Sequence, residues 1–172
     1  MRDMILLIEP VIPRLRRYAR VLLRDRAAAD DLVQDCLERA VERWHQRRGE
    51  GDPRTWMFAI LHNLAMNQLR QRARRGTAVA LDEASDAALA RPAEQEVGLH
   101  QRDILASLDR LPDEQRAVIL LVTIEEMSYA DAAETLGVPV GTVMSRLSRA
   151  RARLREALSG EAAPVVHLRS VK

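Results

Sequence analysis

Between Arg146 and Glu156 the chain carries arginine at 146, 149, 151, 153 and 155 against the single carboxylate of Glu156. Guanidinium groups are planar forks of donors, matched to phosphate oxygens and to the edges of bases. At about 100° per residue on a helix, Val140, Val143, Leu147, Ala150, Leu154 and Leu158 fall within an arc of about 80°, an apolar face that has to pack inward. The opposite arc holds Thr142, Ser145, Arg146, Ser148, Arg149 and Arg153. Short hydroxyl donors and guanidinium forks are what can enter a major groove and meet phosphates and base edges.

A basic helix is often only a solvated face, so what precedes this one carries weight. Ser128 stands where it can cap a short helix over 129–136, Gly137 ends that helix, and Pro139 opens the next, which reaches about Leu158. A short helix, a tight turn at Gly137-Val138-Pro139 and a long second helix have the spacing of a helix-turn-helix. A good bidentate contact discriminates by about 1–3 kcal/mol, so a reader of this size specifies only a short element.

Other chemistries find little support. His45, His62, His100 and His167 are scattered without paired-ligand spacing, Gly49 and Gly51 do not make a phosphate loop, and no acid-base constellation recurs on one face. No catalytic residue, metal site or cofactor is therefore expected, and the chain is not expected to be an enzyme. Cys36 is the only cysteine; it lies on the apolar stripe of a helix, as a small buried hydrophobe, and cannot form an internal disulfide. The apolar start, Met1 to Pro10, is too short to span a bilayer and unlike a signal peptide. A soluble, monomeric, cytoplasmic protein without membrane insertion is the expectation.

The elements that would hold these residues are helices. Apolar residues are 47% of the chain and aromatic ones only 3%, with alanine, leucine, arginine and glutamate prominent. From Met4 to Arg24, the positions Leu7, Val11, Leu15, Tyr18 and Leu22 mark one helical face, made irregular at its start by Pro10 and Pro13. A second helix spans 27–44, with Val33, Leu37, Ala40 and Trp44 on its stripe, flanked by Leu32, Cys36 and Val41. Asp52-Pro53 supplies a cap and a first-turn proline for a third helix to about Arg74, burying Trp56, Ile60, Leu61, Leu64 and Leu69.

Charge divides the chain as well. Residues 1–75 hold 16 arginines against 10 acids, 76–97 hold one arginine against five acids, and 98–172 balance ten against ten. The acidic, alanine-rich stretch 76–97 lacks sustained periodicity and contains Pro92, so it is expected to be a flexible linker. Beyond it, 99–110 is helical, Leu111-Pro112-Asp113 starts a helix through Ile119 to Ile124, and 161–172 forms a short tail. The fold class is thus all-α: two small helical domains, 1–75 and 98–160, joined by a flexible linker.

With these residues in place, the sequence resembles the extracytoplasmic-function, or group IV, sigma factors of bacterial RNA polymerase. The resemblance covers about residues 6–158. It is carried by Ala29-Asp30-Asp31-Leu32-Val33-Gln34-Asp35, by Arg54-Thr55-Trp56 with Leu61-His62-Asn63-Leu64-Ala65, and by Leu111-Pro112 through Gly141-Thr142-Val143-Met144-Ser145-Arg146-Leu147. Their order and spacing together are more specific than any one motif.

The resemblance implies a sigma region 2 bundle in 1–75 and a sigma region 4 helix-turn-helix in 98–160. Region 2 would bind core RNA polymerase at the β′ clamp helices through Asp30, Asp31, Gln34, Asp35 and Glu38. It would read and open the −10 element of promoter DNA through the loop 47–55 with Arg54, Asn63, Asn67, Arg70 and Arg74. Arg72 and Arg75 look placed for backbone phosphates. Region 4 would read −35 through Thr142, Ser145, Arg146, Ser148, Arg149 and Arg153, next to the β flap. An anti-sigma factor would be a further partner.

From residues alone, the acidic flank of the second helix is equally a solvated face, and Asn63 an exposed asparagine. Met144 departs from the family, whose members often carry arginine or lysine there, so a particular −35 preference does not transfer. Trp44 and Trp56 are expected in the core. The rival readings are a conventional helix-turn-helix regulator, which brings a sensing or dimerisation domain, and a sigma-like decoy of an anti-sigma factor, which brings a receiver domain; the sequence suggests neither addition.

Overall fold

The computed structural model describes residues 2–46, 51–78 and 104–160, and they are helical throughout apart from short turns. Helix α1 (Arg2–Ile8) passes through a 3-10 turn at Glu9–Val11 into α2 (Ile12–Leu23), with Pro10 and Pro13 in the first turns of the two segments. Because a 3-10 turn winds tighter than an α-helix, the inward stripe does not run back through Leu7 as expected. It runs through Ile8, while Leu7 is 45% exposed beside Ile5 and Leu6. Val11, Leu15, Tyr18 and Leu22 do face the core.

Arg24, in left-handed conformation, ends α2, and Asp25 begins α3 (Arg26–Glu42) by accepting a hydrogen bond from the Ala28 amide at 3.0 Å. That bond, with help from Arg72, holds the Asp25 carboxyl below its usual range. Ala29, Leu32, Val33, Cys36 and Ala40 are the buried face of α3; Leu37 is half-buried and Val41 exposed. Trp44 lies past the helix end in a 3-10 turn, Trp44–Gln46. The Asp52 carboxylate accepts from the Arg54 amide at 2.9 Å and starts α4 (Pro53–Ala78) as the sequence predicts.

Helix α4 buries Met57, Phe58, Leu61, Leu64 and Ala65 completely or nearly so, and leaves Trp56, Ile60 and Leu69 half-buried. Trp44 and Trp56 meet edge to face, centroids 6.1 Å apart, at the border of the core instead of within it. The helix also outruns its expected end. It continues to Ala78, so 76–78 belong to α4; a single glycine in a helix costs only about 1 kcal/mol, and Thr77 and Ala78 permit the extra turn. The rest of the expected linker, 79–97, and the tail 161–172 lie outside the described residues, as do 47–50 of the loop and 99–103 of the expected 99–110 helix.

The second half starts with a helical segment at 104–109. Then come α5 (Asp113–Ile119), a π-helical turn (Leu120–Ile124), α6 (Tyr129–Leu136) and α7 (Val140–Gly160). Ser128 Oγ accepts from the Asp131 amide at 3.1 Å, and Gly137, at φ +64°, closes α6. Both punctuation marks of the expected helix-turn-helix are therefore present.

The two halves are not apart. Buried apolar residues of both form one cluster, α6 packs along α4, and Thr135 Oγ1 donates to the Thr55 carbonyl at 3.5 Å. Burying a large apolar side chain is worth about 1.5–3 kcal/mol, so apolar contacts across this seam contribute to the stability of the whole. Arg116, 1% exposed, works as a bracket: its guanidinium donates to the carbonyls of Leu108 (2.9 Å), Leu111 (2.6 Å) and Asp109 (3.2 Å), and across the seam to that of Leu22 (3.2 Å).

Candidate nucleic-acid interface

Helix α7 packs on α5 and α6 through Val143, Leu147 and Ala150, all buried, with Leu154 half-buried. Val140 and Leu158, expected on the same inward face, are 42% and 40% exposed. The reason is length. At about 1.5 Å per residue α7 is roughly 30 Å long, and its two ends overhang the seven residues of α5 and eight of α6.

On the opposite face Ser145, Ser148, Arg149 and Arg153 are exposed, with Met144 beside them at 53%. Ser145 Oγ donates to the Thr142 carbonyl at 3.1 Å, which points its oxygen along the helix. Two of the expected readers are less free. Thr142 is half-buried, and the Arg146 side chain is only 22% exposed, with its Nη2 2.6 Å from Glu114 Oε2. A shallow hollow of about 250 Å³ between α6 and α7 is lined by Tyr129, Met144, Ser148, Arg151, Ala152 and Arg155.

In the first half, Asn63, Asn67, Arg70 and Arg74 are all exposed. Their spacing of four, three and four residues holds them within an arc of about 60° on α4, a continuous stripe of amides followed by guanidinium groups. Arg54 stands apart from them, half-buried, with Nε and Nη2 buried and unpaired among the described residues. His62, next to Asn63, is buried; desolvation lowers its pKa to about 4, and the positive charges of Arg146 and Arg70 push the same way. The Arg146 charge acting on His62 brings one residue of α7 within electrostatic reach of α4.

A third group lies on α3. Asp31, Gln34, Asp35 and Glu38 are exposed along one flank, with Gln34 Nε2 donating to Glu38 Oε1 at 3.1 Å. Asp30 is half-buried and already engaged by Arg20 at 2.9 Å. Cys36 is fully buried, and burial pushes its thiol up to about 12. Among the described residues no cluster of histidine, cysteine and acidic side chains could hold a metal ion, and no helix is long and apolar enough to cross a membrane.

Sequence reasoning did not single out Arg116, Glu125 or Thr135, which fasten the halves together, and it named Thr55 only within the Arg54-Thr55-Trp56 motif. Glu125 sits at the end of an apolar run with Glu126 behind it, an ordinary helix-end pattern in one dimension. Only the position of α2 explains its burial.

The fold and this surface define an all-helical protein in which a helical bundle is joined to a helix-turn-helix with a basic recognition face. Residues 8–62 match the family described as the Sigma2 domain of PhyR, and residues 101–154 match Sigma-70, region 4. The ECF RNA polymerase sigma factor EcfG of Rhodopseudomonas palustris is 35% identical over 147 residues, 83% of this chain and 78% of that one. SigM, an ECF RNA polymerase sigma factor of Mycobacterium tuberculosis, is 36% identical over 145 residues, 84% of this chain and 71% of its own. The sigma factor RpoE of Bartonella quintana, solved in complex with the anti-sigma factor NepR, is 32% identical with a TM-score of 0.77, covering 92% of this chain and 98% of that one. The chain belongs to the ECF RNA polymerase sigma factors.

Proposed function

We propose that this chain binds core RNA polymerase in the cytoplasm and directs it to promoters by reading two short elements of the same duplex. The acidic flank Asp31, Gln34, Asp35 and Glu38 on α3, with Asp30 beside it, is the surface for a basic patch on the β′ clamp helices. The second half meets the β flap. The stripe Asn63, Asn67, Arg70 and Arg74, with Arg54 and the loop before α4, takes the −10 element, the amides at the edge of an unstacked base and the arginines on phosphates. Helix α7 takes −35 through Ser145, Ser148, Arg149 and Arg153, joined by Thr142 and Arg146.

One observation carries this reading. The face of α7 that would enter the groove is the one left uncovered at Ser145, Ser148, Arg149 and Arg153, while Val143, Leu147 and Ala150 are sealed against the rest of the second half. An anti-sigma factor is the regulatory partner, supported by the relative RpoE, which is bound to NepR. Run-off transcription with core polymerase and a genomic promoter library tests the reading: initiation at a defined set of promoters is expected, and its absence overturns it.

A second reading, a sigma-like protein that captures an anti-sigma factor without initiating, draws on the match of 8–62 to the Sigma2 domain of PhyR. It predicts binding to an anti-sigma factor and no run-off product, so the same assay separates the two.

A further inference from the structure

The side chain of Glu125 is 1% exposed, yet nothing on its own half of the molecule neutralises it in the described structure; its charge is met by α2. Arg14 Nε lies 2.8 Å from one carboxylate oxygen, and Arg17 approaches the other with Nη2 at 2.7 Å and Nε at 3.1 Å. Arg14 Nη2 also donates to the Glu125 carbonyl at 3.1 Å. The cations are only partly covered, at 33% and 49% exposure, so the carboxylate is deep in the seam and the arginines stand at its rim. The backbone is strained next to it, since Glu126 adopts φ +53°.

A carboxylate so far from water is tolerable when paired and costly when not. The seam therefore has two satisfactory states: closed with both arginines in place, or open with Glu125 in water. Intermediate arrangements leave a buried charge without a partner.

The closed state cannot read a promoter. Elements named for −10 and −35 are centred about 25 base pairs apart, roughly 85 Å along a straight duplex at about 3.4 Å per base pair. Here Thr135 of the helix-turn-helix touches Thr55 at the start of α4, and the charge of Arg146 bears on His62, the neighbour of Asn63. Arg54, next to Thr55, has donors buried without partners, so a group assigned to −10 is partly withdrawn from use.

We propose that Glu125, Arg14 and Arg17 form a latch that keeps the free chain in a closed, non-reading arrangement, and that its release lets the two DNA-reading surfaces, exposed but held too close together, separate to the spacing of the two elements. This rests on the assignment of α4 and α7 to the −10 and −35 elements. Glu125 is the bolt, and the two arginines are its keeper.

The full chain is tested by energy transfer between dyes at Glu42→Cys and Glu156→Cys, both exposed sites, in a Cys36→Ala background. The parent is expected in a short-distance state. Glu125→Gln keeps the shape and removes the charge; it is expected to raise the open-to-closed ratio about tenfold or more. Arg14→Gln with Arg17→Gln should do the same from the other side, leaving the second half untouched. Adding Glu125→Gln to that pair should open the chain no further and should restore part of the closed state, because it removes the carboxylate left buried without a partner. An extended parent, an unchanged distance in helical, cooperatively unfolding variants, or fully additive effects each overturn the latch. Should Glu125→Gln fail to fold, the arginine pair decides. Run-off transcription of the parent is scored separately: its failure removes the promoter reading and leaves a measured distance shift standing, whereas transcription with no shift removes the latch alone.

Discussion

The hydroxyl of Tyr18 on α2 lies 3.0 Å from Nδ1 of His62 on α4, and both side chains are buried. The Tyr18 ring meets Phe58 edge to face at 5.5 Å, so the polar pair is sealed within apolar contacts. Each group answers the hydrogen-bonding need of the other, which permits two polar atoms in a core that otherwise contains Leu15, Leu22 and Leu61. Burial holds both in their neutral forms: it pushes the tyrosine hydroxyl far up and lowers His62 to about 4.

The His62 shift sets an acid limit on stability. An unfolded histidine takes its proton near pH 6.5, while the folded one resists until about 4. Between those values the unfolded chain binds more protons, so this contribution is complete above about pH 6.5 and is lost as pH falls toward about 4, amounting to about 3 kcal/mol at most. Urea midpoints measured across that window should fall with acid, and His62→Gln should flatten the dependence. An equally steep profile in the variant would count against the assignment.

Gly137 closes α6 at φ +64°, and a Cβ there would meet nothing within 4 Å. The cost of Gly137→Ala is therefore purely backbone, about 1–2 kcal/mol. Gly137→Asn should cost less, because asparagine tolerates this region better than alanine. Urea denaturation ranks the three proteins; alanine matching glycine would show that the turn is not held in this conformation.

Promoter use should separate the two DNA faces. Arg149→Ala should lower run-off transcription by about tenfold on promoters that depend on −35, in line with the loss of one base or phosphate contact. Asn63→Ala should leave −35 binding intact and impair opening at −10, seen as lost permanganate reactivity of unpaired thymines. If neither substitution changes transcription, the residues are misassigned.

The acidic flank of α3 should act through the polymerase alone. Reversing charge at Asp31 and Asp35 with lysine is expected to weaken binding to core polymerase by tenfold or so, without altering thermal stability by more than about 0.5 kcal/mol, since both sites are exposed. Unchanged affinity in a competition assay would move the docking surface elsewhere.

Much of the local structure was legible in one dimension because its causes are local. Asp52-Pro53, Ser128 and Gly137 mark helix ends with side-chain or backbone chemistry that neighbouring residues complete, and all three act as expected. Val143, Leu147 and Ala150 were recognisable as a buried face since helical period alone brings them together. Periodicity was a poorer guide at the ends of elements. Leu7, Val140 and Leu158 have the right phase and yet are exposed, because phase cannot tell where a neighbouring helix stops.

The sequence by itself determined an all-helical chain, the helix-turn-helix, and the polar stripes on α3, α4 and α7, since caps, turns and the 3.6-residue period act over a few positions. Tertiary structure alone decided that the halves share a seam, that Arg116 brackets four carbonyls, and that Glu125 meets arginines 111 and 108 positions away. Those contacts depend on which helix faces lie opposite each other, and a carboxylate between isoleucine and glutamate carries no mark of the guanidinium groups that will cover it.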